Sequence, residues 1–259
     1  MSGVYVRMKA LVIFGSGTDK DVYNEICKNL TIEYDLRVIS AHKTPDRLDD
    51  VDLDSYDIII AGAGLAAHLP GVVAAKTLTP VIGVPCHGNY EGLDALLSII
   101  QMPPGVPVLA VGVNNSIEAA RNANLLAKEY QGISVVGENE ALQEKAAKVL
   151  SDFSVEVGTE QNGDNVNIII SPLGEQVSET AHLCIYCSSF PKGDDKAEAA
   201  LNLLKHTDKG LWVGLNAMEN ACIAAVELLN ISGKYTEELR SYRKKKGQKV
   251  IDADEEVNK

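Results

Sequence analysis

Residues 9–15 (KALVIFG), 56–62 (YDIIIAG) and 80–85 (PVIGVP) are short apolar runs without polar alternation, bounded by Gly, Pro or polar residues. That pattern predicts strands buried on both faces, as in a parallel sheet. Between the runs the period changes. Residues 19–30 place Val22, Ile26 and Leu30 on one face of a helix. Residues 46–53 predict a short polar helix, 66–76 a helix of small residues, and 92–101 and 117–130 two more. Residues 36–40 and 106–111 read as further strands. Strands alternating with helices predict right-handed crossovers and an α/β fold with helices on both faces of the sheet.

The pattern then starts again. Residues 132–137 (GISVVG) resemble the first run, and 138–150 predict a helix with Leu142, Ala146 and Val149 on one face. Residues 153–157 read as a strand, 166–173 (VNIIISPL) match the second apolar run in shape, and 183–188 (LCIYCS) fall where PVIGVP fell. Residues 195–204 take the place of 92–101. VGLN at 213–216 repeats VGVN at 111–114, and an Ala-rich helix follows each. We read this as an internal duplication with a boundary near Gln131. The units are 8–130, 131–232 and a C-terminal segment, 233–259. In that segment a helix is expected around 235–250, with the basic run 243–246 (RKKK) as a solvated helix end and the acidic residues from 252 frayed.

Charge narrows the function. Asp and Glu number 36 against 24 Lys and Arg, a net charge of −12. A nucleic-acid or anionic-membrane binder needs a basic surface, so both classes are disfavoured. Aromatic residues make up 5%, too few for rows of stacking rings. The sequence contains no run of 18 apolar residues, so no transmembrane helix is expected. The five cysteines are odd in number and scattered, which points to a reduced, cytoplasmic setting. Cys184 and Cys187 form a C-x-x-C, but within a predicted strand they point to opposite faces, so core packing is the expectation.

Three strand-to-helix loops carry candidate chemistry. Gly15-Ser16-Gly17-Thr18-Asp19 combines close backbone approach, hydroxyls and a helix start, which suits a phosphate or ribose. It is neither a full G-x-G-x-x-G nor a P-loop, and Thr18 or Asp19 as a simple helix cap is the alternative. Ser40-Ala41-His42-Lys43-Thr44-Pro45 lies at the carboxyl end of a strand, where open α/β sheets bind ligands. His42 suits proton transfer near neutral pH and Lys43 suits a phosphate; a capping or packing histidine is the alternative. Residues 61–71 (AGAGLAAHLPG) offer backbone N–H groups at Gly64, and His68 either meets a ligand or orders the loops. Gln101 and Met102, at the end of 93–103, either pack or face a ring-shaped ligand.

GSGTD, SAHKTP, IAGAGLAAHLPG, PVIGVP and LLSIIQMPPGVPV occur in this order over residues 9–127. As a set they resemble the 5-(carboxyamino)imidazole ribonucleotide mutase (PurE) family of purine biosynthesis. The resemblance implies a flavodoxin-like three-layer α/β/α fold with a parallel sheet, here as two tandem copies, the second degenerate, followed by a C-terminal helix. It implies no metal or organic cofactor. The reaction would move a carboxylate from an exocyclic nitrogen to a ring carbon of an aminoimidazole ribonucleotide, by release and recapture of CO2. Ser16, Thr18 and Asp19 match the ribonucleotide-binding loop, Ser40 and Ala41 the second loop, and His42 the general acid/base. Gly64, His68 and Leu69 match the third loop.

The family forms octamers whose neighbouring subunits contribute to each site, so a two-copy chain is expected to form a homotetramer imitating an octamer. Three features depart from the pattern. Lys43 stands where the mutase branch usually has Arg, and Lys occurs there in the branch that carboxylates with CO2 directly. Leu65 replaces a common Gly. Residues 86–91 (CHGNYE) do not match the usual small-residue lid, and His87 either reaches the site or lies on the surface. A non-catalytic nucleotide-binding module is the third reading. A dinucleotide oxidoreductase lacks its glycine fingerprint.

Overall fold

The computed structural model describes residues 7–191, 193 and 195–258. In it the three apolar runs become β1 (Lys9–Phe14), β3 (Ile58–Ala63) and β4 (Val81–Pro85). Around them lie α1 (Lys20–Asn29), β2 (Glu33–Val38), α2 (Pro45–Asp49), α3 (His68–Lys76), α4 (Leu93–Ile100), β5 (Leu109–Ala110) and α5 (Ser116–Leu125). The second half contributes β6 (Gly132–Val136), α6 (Glu140–Leu150), β7 (Val157–Gly158), β8 (Asn165–Pro172), β9 (Cys184–Ser189), α7 (Lys196–His206), β10 (Leu211–Val213) and α8 (Met218–Leu229). The long α9 (Thr236–Val257) closes the chain.

All ten strands form one sheet in the order β2-β1-β3-β4-β5-β10-β9-β8-β6-β7. From either edge inward, the order is second, first, third, fourth and fifth strand of that half. Neighbours pair in parallel throughout each half, and the halves meet at an antiparallel contact, Trp212 opposite Ala110. Trp212 is fully buried, stacks on Tyr186 with ring centroids 4.8 Å apart, and donates its indole N–H to the Lys209 carbonyl at 2.7 Å.

The sheet separates two cores, which makes three layers. On one face Val12, Phe14, Ile60 and Val84 pack with Ile133, Ile168 and Ile185 under α1, α5, α6, α8 and α9. On the other, Leu11, Ile13, Ile59 and Ala61 pack with Tyr186 and Trp212 under α2, α3, α4 and α7. Each core draws residues from both halves. Cys187 belongs to the first core and Cys184 to the second, as period-two geometry requires. Gly62 in β3 makes room for Phe14, whose ring lies 2.1 Å from where a β-carbon would sit.

Polar bonds join the halves reciprocally. Glu118 of α5 accepts from the Gly210 N–H ahead of β10 at 2.6 Å. Asn220 of α8 accepts from the Gly105 N–H ahead of β5 at 2.8 Å. Burial pushes the Glu118 carboxyl up, but Arg121, the Gly210 N–H and Asn122 outweigh burial and hold it below the usual range. Asn114 and Asn216, the last residues of VGVN and VGLN, share a left-handed backbone with φ of 54° and 55°. The halves also differ. Among the described residues no helix lies between β7 and β8 or between β8 and β9, where the first half has α2 and α3.

Several sequence expectations shift. The strand expected over 106–111 is confined to Leu109–Ala110, because Pro107 has no N–H to give the ladder. β2 begins earlier than expected and ends at Val38; Ile39 still donates to Phe14, but the Ser40 N–H turns to the Thr44 hydroxyl. The helix expected over 117–130 ends at Leu125, and the strand over 153–157 reduces to Val157–Gly158 at the sheet edge.

The C-terminal segment differs most. Residues 243–246 lie in the middle of α9, which stays helical through Val257, so the basic run is not a helix end and the acidic stretch to that point is not frayed. Nor is Arg243 solvated. It donates to Glu227 of α8 at 2.8 Å and to the Ala74 and Thr77 carbonyls at 2.9 and 2.6 Å, tying α9 to the end of α3. Lys246 pairs with Glu219 at 2.5 Å.

Glu227 is buried, and burial pushes its carboxyl up to about 8 against the opposing pull of Arg243. Between pH 4.5 and about 8 the folded chain keeps a proton that the unfolded chain releases, so Glu227 lowers stability as pH rises through that window. Glu227→Gln is expected to flatten that part of a urea-stability profile. Arg243→Met, which leaves Glu227 and the Ala74 and Thr77 carbonyls without their donor, is expected to push the Glu227 carboxyl further up and to lower stability by about 1–3 kcal/mol at pH 7. A second prediction concerns the thiols. Cys86, Cys184, Cys187 and Cys222 are buried and Cys27 is half-buried. At pH 8 a thiol reagent is expected to label Cys27 alone, and slowly, with all five reacting in urea.

Candidate functional site

Parallel pairing brings the carboxyl ends of four strands to one level. Phe14 of β1 stands opposite Val38 of β2 and Gly62 of β3, and Ala63 of β3 opposite Pro85 of β4. The loops leaving these ends therefore converge, as expected at the carboxyl edge of an open sheet. They enclose a cavity of about 460 Å³. Ser16, Thr18, Asp19, Ser40, Ala41, His42, Lys43, Gly64, His68 and Leu69 all line it, so the ten residues singled out from the sequence are brought together.

The β1 loop supplies one wall. Ser16 caps a short 3-10 turn by accepting from the Thr18 N–H at 3.2 Å, and the two hydroxyls lie 2.8 Å apart. Asp19 opens α1 without a side-chain cap bond, so the sequence alternative of Asp19 as a simple cap does not hold. The uncapped start of α1 leaves backbone donors and the positive end of the helix dipole toward the cavity. Partial burial pushes the Asp19 carboxyl up, opposed by the Thr18 hydroxyl. The second half differs here: Asn139 caps α6 through the Leu142 N–H at 3.0 Å.

The β2 loop is a closed turn. Thr44 donates from its N–H to the Ser40 carbonyl at 3.0 Å, and the Lys43 N–H donates to Ser40 Oγ at 3.1 Å. Pro45 takes the first position of α2, where its fixed φ suits a helix start and its missing N–H costs no helical bond. His42 and Lys43 project from this turn and are exposed. The β3 loop turns sharply at Leu65, whose φ is 55°. That left-handed residue, exposed at 61%, delays the start of α3 to His68. The His42 and His68 rings meet edge to face with centroids 4.9 Å apart. Leu69 is a floor residue, its side chain buried in the core.

The sequence leaves His87 open and gives Ala63, Ala66 and Gly88 no separate role; all four line the cavity. Their signal in the sequence is position alone, next to a strand end. Gln101 and Met102 line a different hollow, against Phe190 and Lys196 of the second half, so within one chain they do not face His42. Cys86 borders the loop, but burial and the nearby Asp19 push its thiol up to about 12, which removes it as a nucleophile. Among the described residues no three His, Cys, Asp or Glu side chains gather as metal ligands.

The site thus has a histidine in reach of a second histidine, hydroxyls and helix-start donors for an anion, one fixed cation and an apolar floor. That set can bind a phosphorylated small molecule and move a proton. Comparison with known proteins adds the chemistry of relatives. The family model described as AIR carboxylase matches residues 9–152. An N5-carboxyaminoimidazole ribonucleotide mutase of Pyrococcus abyssi is 50% identical over 133 residues, 48% of this chain and 74% of that protein. A mutase of the same description from Methanocaldococcus jannaschii is 48% identical over 122 residues, 46% of this chain and 75% of that protein. A phosphoribosylaminoimidazole carboxylase of Candida glabrata is 46% identical over 130 residues, 47% of this chain and 22% of that protein. Among solved structures, Treponema denticola PurE aligns with a TM-score of 0.38 at 23% identity, over 56% of this chain and 95% of that one. The matched segment holds all of the first half and every loop around His42, and this chain belongs to the AIR carboxylase family.

Proposed function

We propose that the chain converts 5-(carboxyamino)imidazole ribonucleotide to 4-carboxy-5-aminoimidazole ribonucleotide in purine biosynthesis. The observation that carries this reading is the convergence of four strand-end loops on one cavity around His42, within the segment shared with the mutases. The α1 start with Ser16 and Thr18 holds the phosphate and ribose end, with Asp19 accepting from sugar hydroxyls. Ser40 and Ala41 shape the turn that presents His42, and Lys43 supplies the fixed positive charge. Gly64, His68 and Leu69 form the wall near the base.

The carboxylate leaves the exocyclic nitrogen as CO2, and the electron pair of the broken C–N bond returns to nitrogen, which takes a proton from His42. The ring carbon then attacks CO2, the new C–C bond forms, and the ring proton passes to His42. His42 ends as it began. Holding CO2 away from water requires the cavity to be closed over during turnover.

Lys43 favours a second reading, direct carboxylation of aminoimidazole ribonucleotide with CO2, because a lysine offers a point charge where an arginine would grip phosphate with two bonds. The test supplies purified protein with the N-carboxylated ribonucleotide in one assay and with the free ribonucleotide plus bicarbonate in another. Fast conversion of the first is expected, with His42→Asn lowering kcat by about 10²–10⁴-fold while the ligand still binds. Faster use of bicarbonate moves the chain to the carboxylase reading. Binding without turnover in either assay leaves a binding module.

The second half reads as a decayed copy that serves as scaffold. It shares the strand order of the first half but, among the described residues, has no helix between β7 and β8 or between β8 and β9, and its first loop carries Glu138 where the first half has Ser and Thr. The domain division at 130/131 and 232/233 follows from that reading. On the edge strand β2, Tyr34, Leu36 and Val38 are 39–48% exposed on one face, which suits an intersubunit contact. We place four chains in the assembly and a cytoplasmic setting for its five free cysteines. A solution mass of four chains is expected by light scattering; a monomer or an octamer overturns the assembly.

A further inference from the structure

The wall after β4 is the part of the cavity that the sequence motifs leave undescribed. Its backbone is firmly held. The His87 N–H donates to Asn114 Oδ1 at 2.9 Å, and the Asn114 N–H donates to the Pro85 carbonyl at 2.8 Å. Further on, Tyr90 and Glu91 are both left-handed, with φ of 55° and 57°. This double turn brings Glu91 Oε2 to 3.0 Å from His87 Nε2. The His87 and Glu91 side chains are 54% and 84% exposed. A contact so exposed is too weak to offset two left-handed non-glycine residues, so stability does not account for the geometry. Strain of this kind points to function.

The charge balance of the cavity says which function. Among the described residues lining it, Lys43 is the one fixed cation and Asp19 the one carboxylate. The ligand of the proposed reaction carries a phosphate and a carboxylate. His42 and His68 are in ring contact, with centroids 4.9 Å apart. His87 Nε2 lies at hydrogen-bond distance from the Glu91 carboxylate, which leaves Nδ1 for a ligand. In the sheet order β4 stands beyond β3 from β1, so His87 lies on the far side of the β3 loop from the phosphate-binding helix start.

We propose that His87, positioned by Glu91, is a substrate-binding residue that receives the ligand's carboxylate. The inference rests on the reading of the site given under Proposed function. Its kinetic signature is distinctive. The negative charge that His87 holds is gone once CO2 has left, so His87 strengthens the ground state and not the step itself.

The test measures KM and kcat for the N-carboxylated ribonucleotide, and Kd for aminoimidazole ribonucleotide, which has the phosphate but no carboxylate. The variants are His87→Asn, His87→Lys and Glu91→Gln. His87→Asn is expected to raise KM about 10-fold without lowering kcat, and to leave Kd for the carboxylate-free ligand unchanged. His87→Lys restores KM, and Glu91→Gln gives a smaller rise. An unchanged KM in His87→Asn overturns the proposal, as does an equal loss of affinity for both ligands. Wild-type protein run alongside separates the two levels: if it neither binds nor converts either ribonucleotide, the reading of the site falls and this inference with it. If it turns over and His87→Asn matches it, only the inference falls.

Discussion

The site depends on the parallel pairing of β1 with β2 on one side and β3 on the other. In a parallel ladder every strand ends at the same edge, so each loop that leaves the sheet must emerge there. The register sets the level: Phe14, Val38 and Gly62 stand side by side, and the next residues are already loop or loop-adjacent. No other constraint is needed to bring Ser16, Ser40, His42 and Gly64 within one cavity, although they lie far apart in the chain. Even the packing inside the sheet serves this end. Gly62 has no side chain because the Phe14 ring occupies its place, and the loop begins just beyond it.

The second constraint is that the first half is not complete on its own. β5 has two residues, and its outer neighbour is β10 of the other half. Both cores continue across that join, and Trp212, the largest buried side chain, sits at it. Glu118 and Asn220 each reach across to a glycine of the opposite half. The second half therefore stabilises the first whatever else it does. Its missing helices are the counterparts of α2 and α3, which in the first half carry or follow His42 and His68. Among the described residues the second half keeps the same strand order without those helices.

An acidic chain that binds an anionic ligand must concentrate its few positive groups locally. In the proposed reading of the site that work falls to Lys43, the start of α1 and imidazoles, each of which is a short-range device. The left-handed residues lie in the same loops: Leu65 lines the cavity, Tyr90 and Glu91 follow the lining residues His87 and Gly88, and Asn114 anchors the β4 loop. Left-handed backbone costs about 1–2 kcal/mol per residue without a compensating contact. The first half concentrates that strain where the loops meet, and the buried strands beneath hold it.

Much was legible in the sequence. Short apolar runs without alternation, bounded by turn residues, fit strands covered on both sides, and the punctuation by Gly, Pro and Ser marked where the loops leave. His42, Ser16 and Asp19 could be named because chemistry-bearing residues immediately after a buried strand have one place to be. What the sequence could not determine is set by contacts distant along the chain. Pro107 shortened β5 through a missing ladder donor, and that was readable; the role of Arg243 was not. A run of four basic residues looks like a solvated helix face until Glu227, sixteen residues earlier, and two carbonyls at the end of α3 are seen to surround one of them. His87 stayed ambiguous for the same reason. Its orientation follows from a left-handed turn at Tyr90 and Glu91 and from a bond to Asn114, neither of which leaves a local pattern. Sequence by itself determined which segments are buried strands and where their ends lie, because burial follows from composition. Only the tertiary structure decided which ends meet and which charges are paired, because strand order and side-chain partners depend on packing between distant residues.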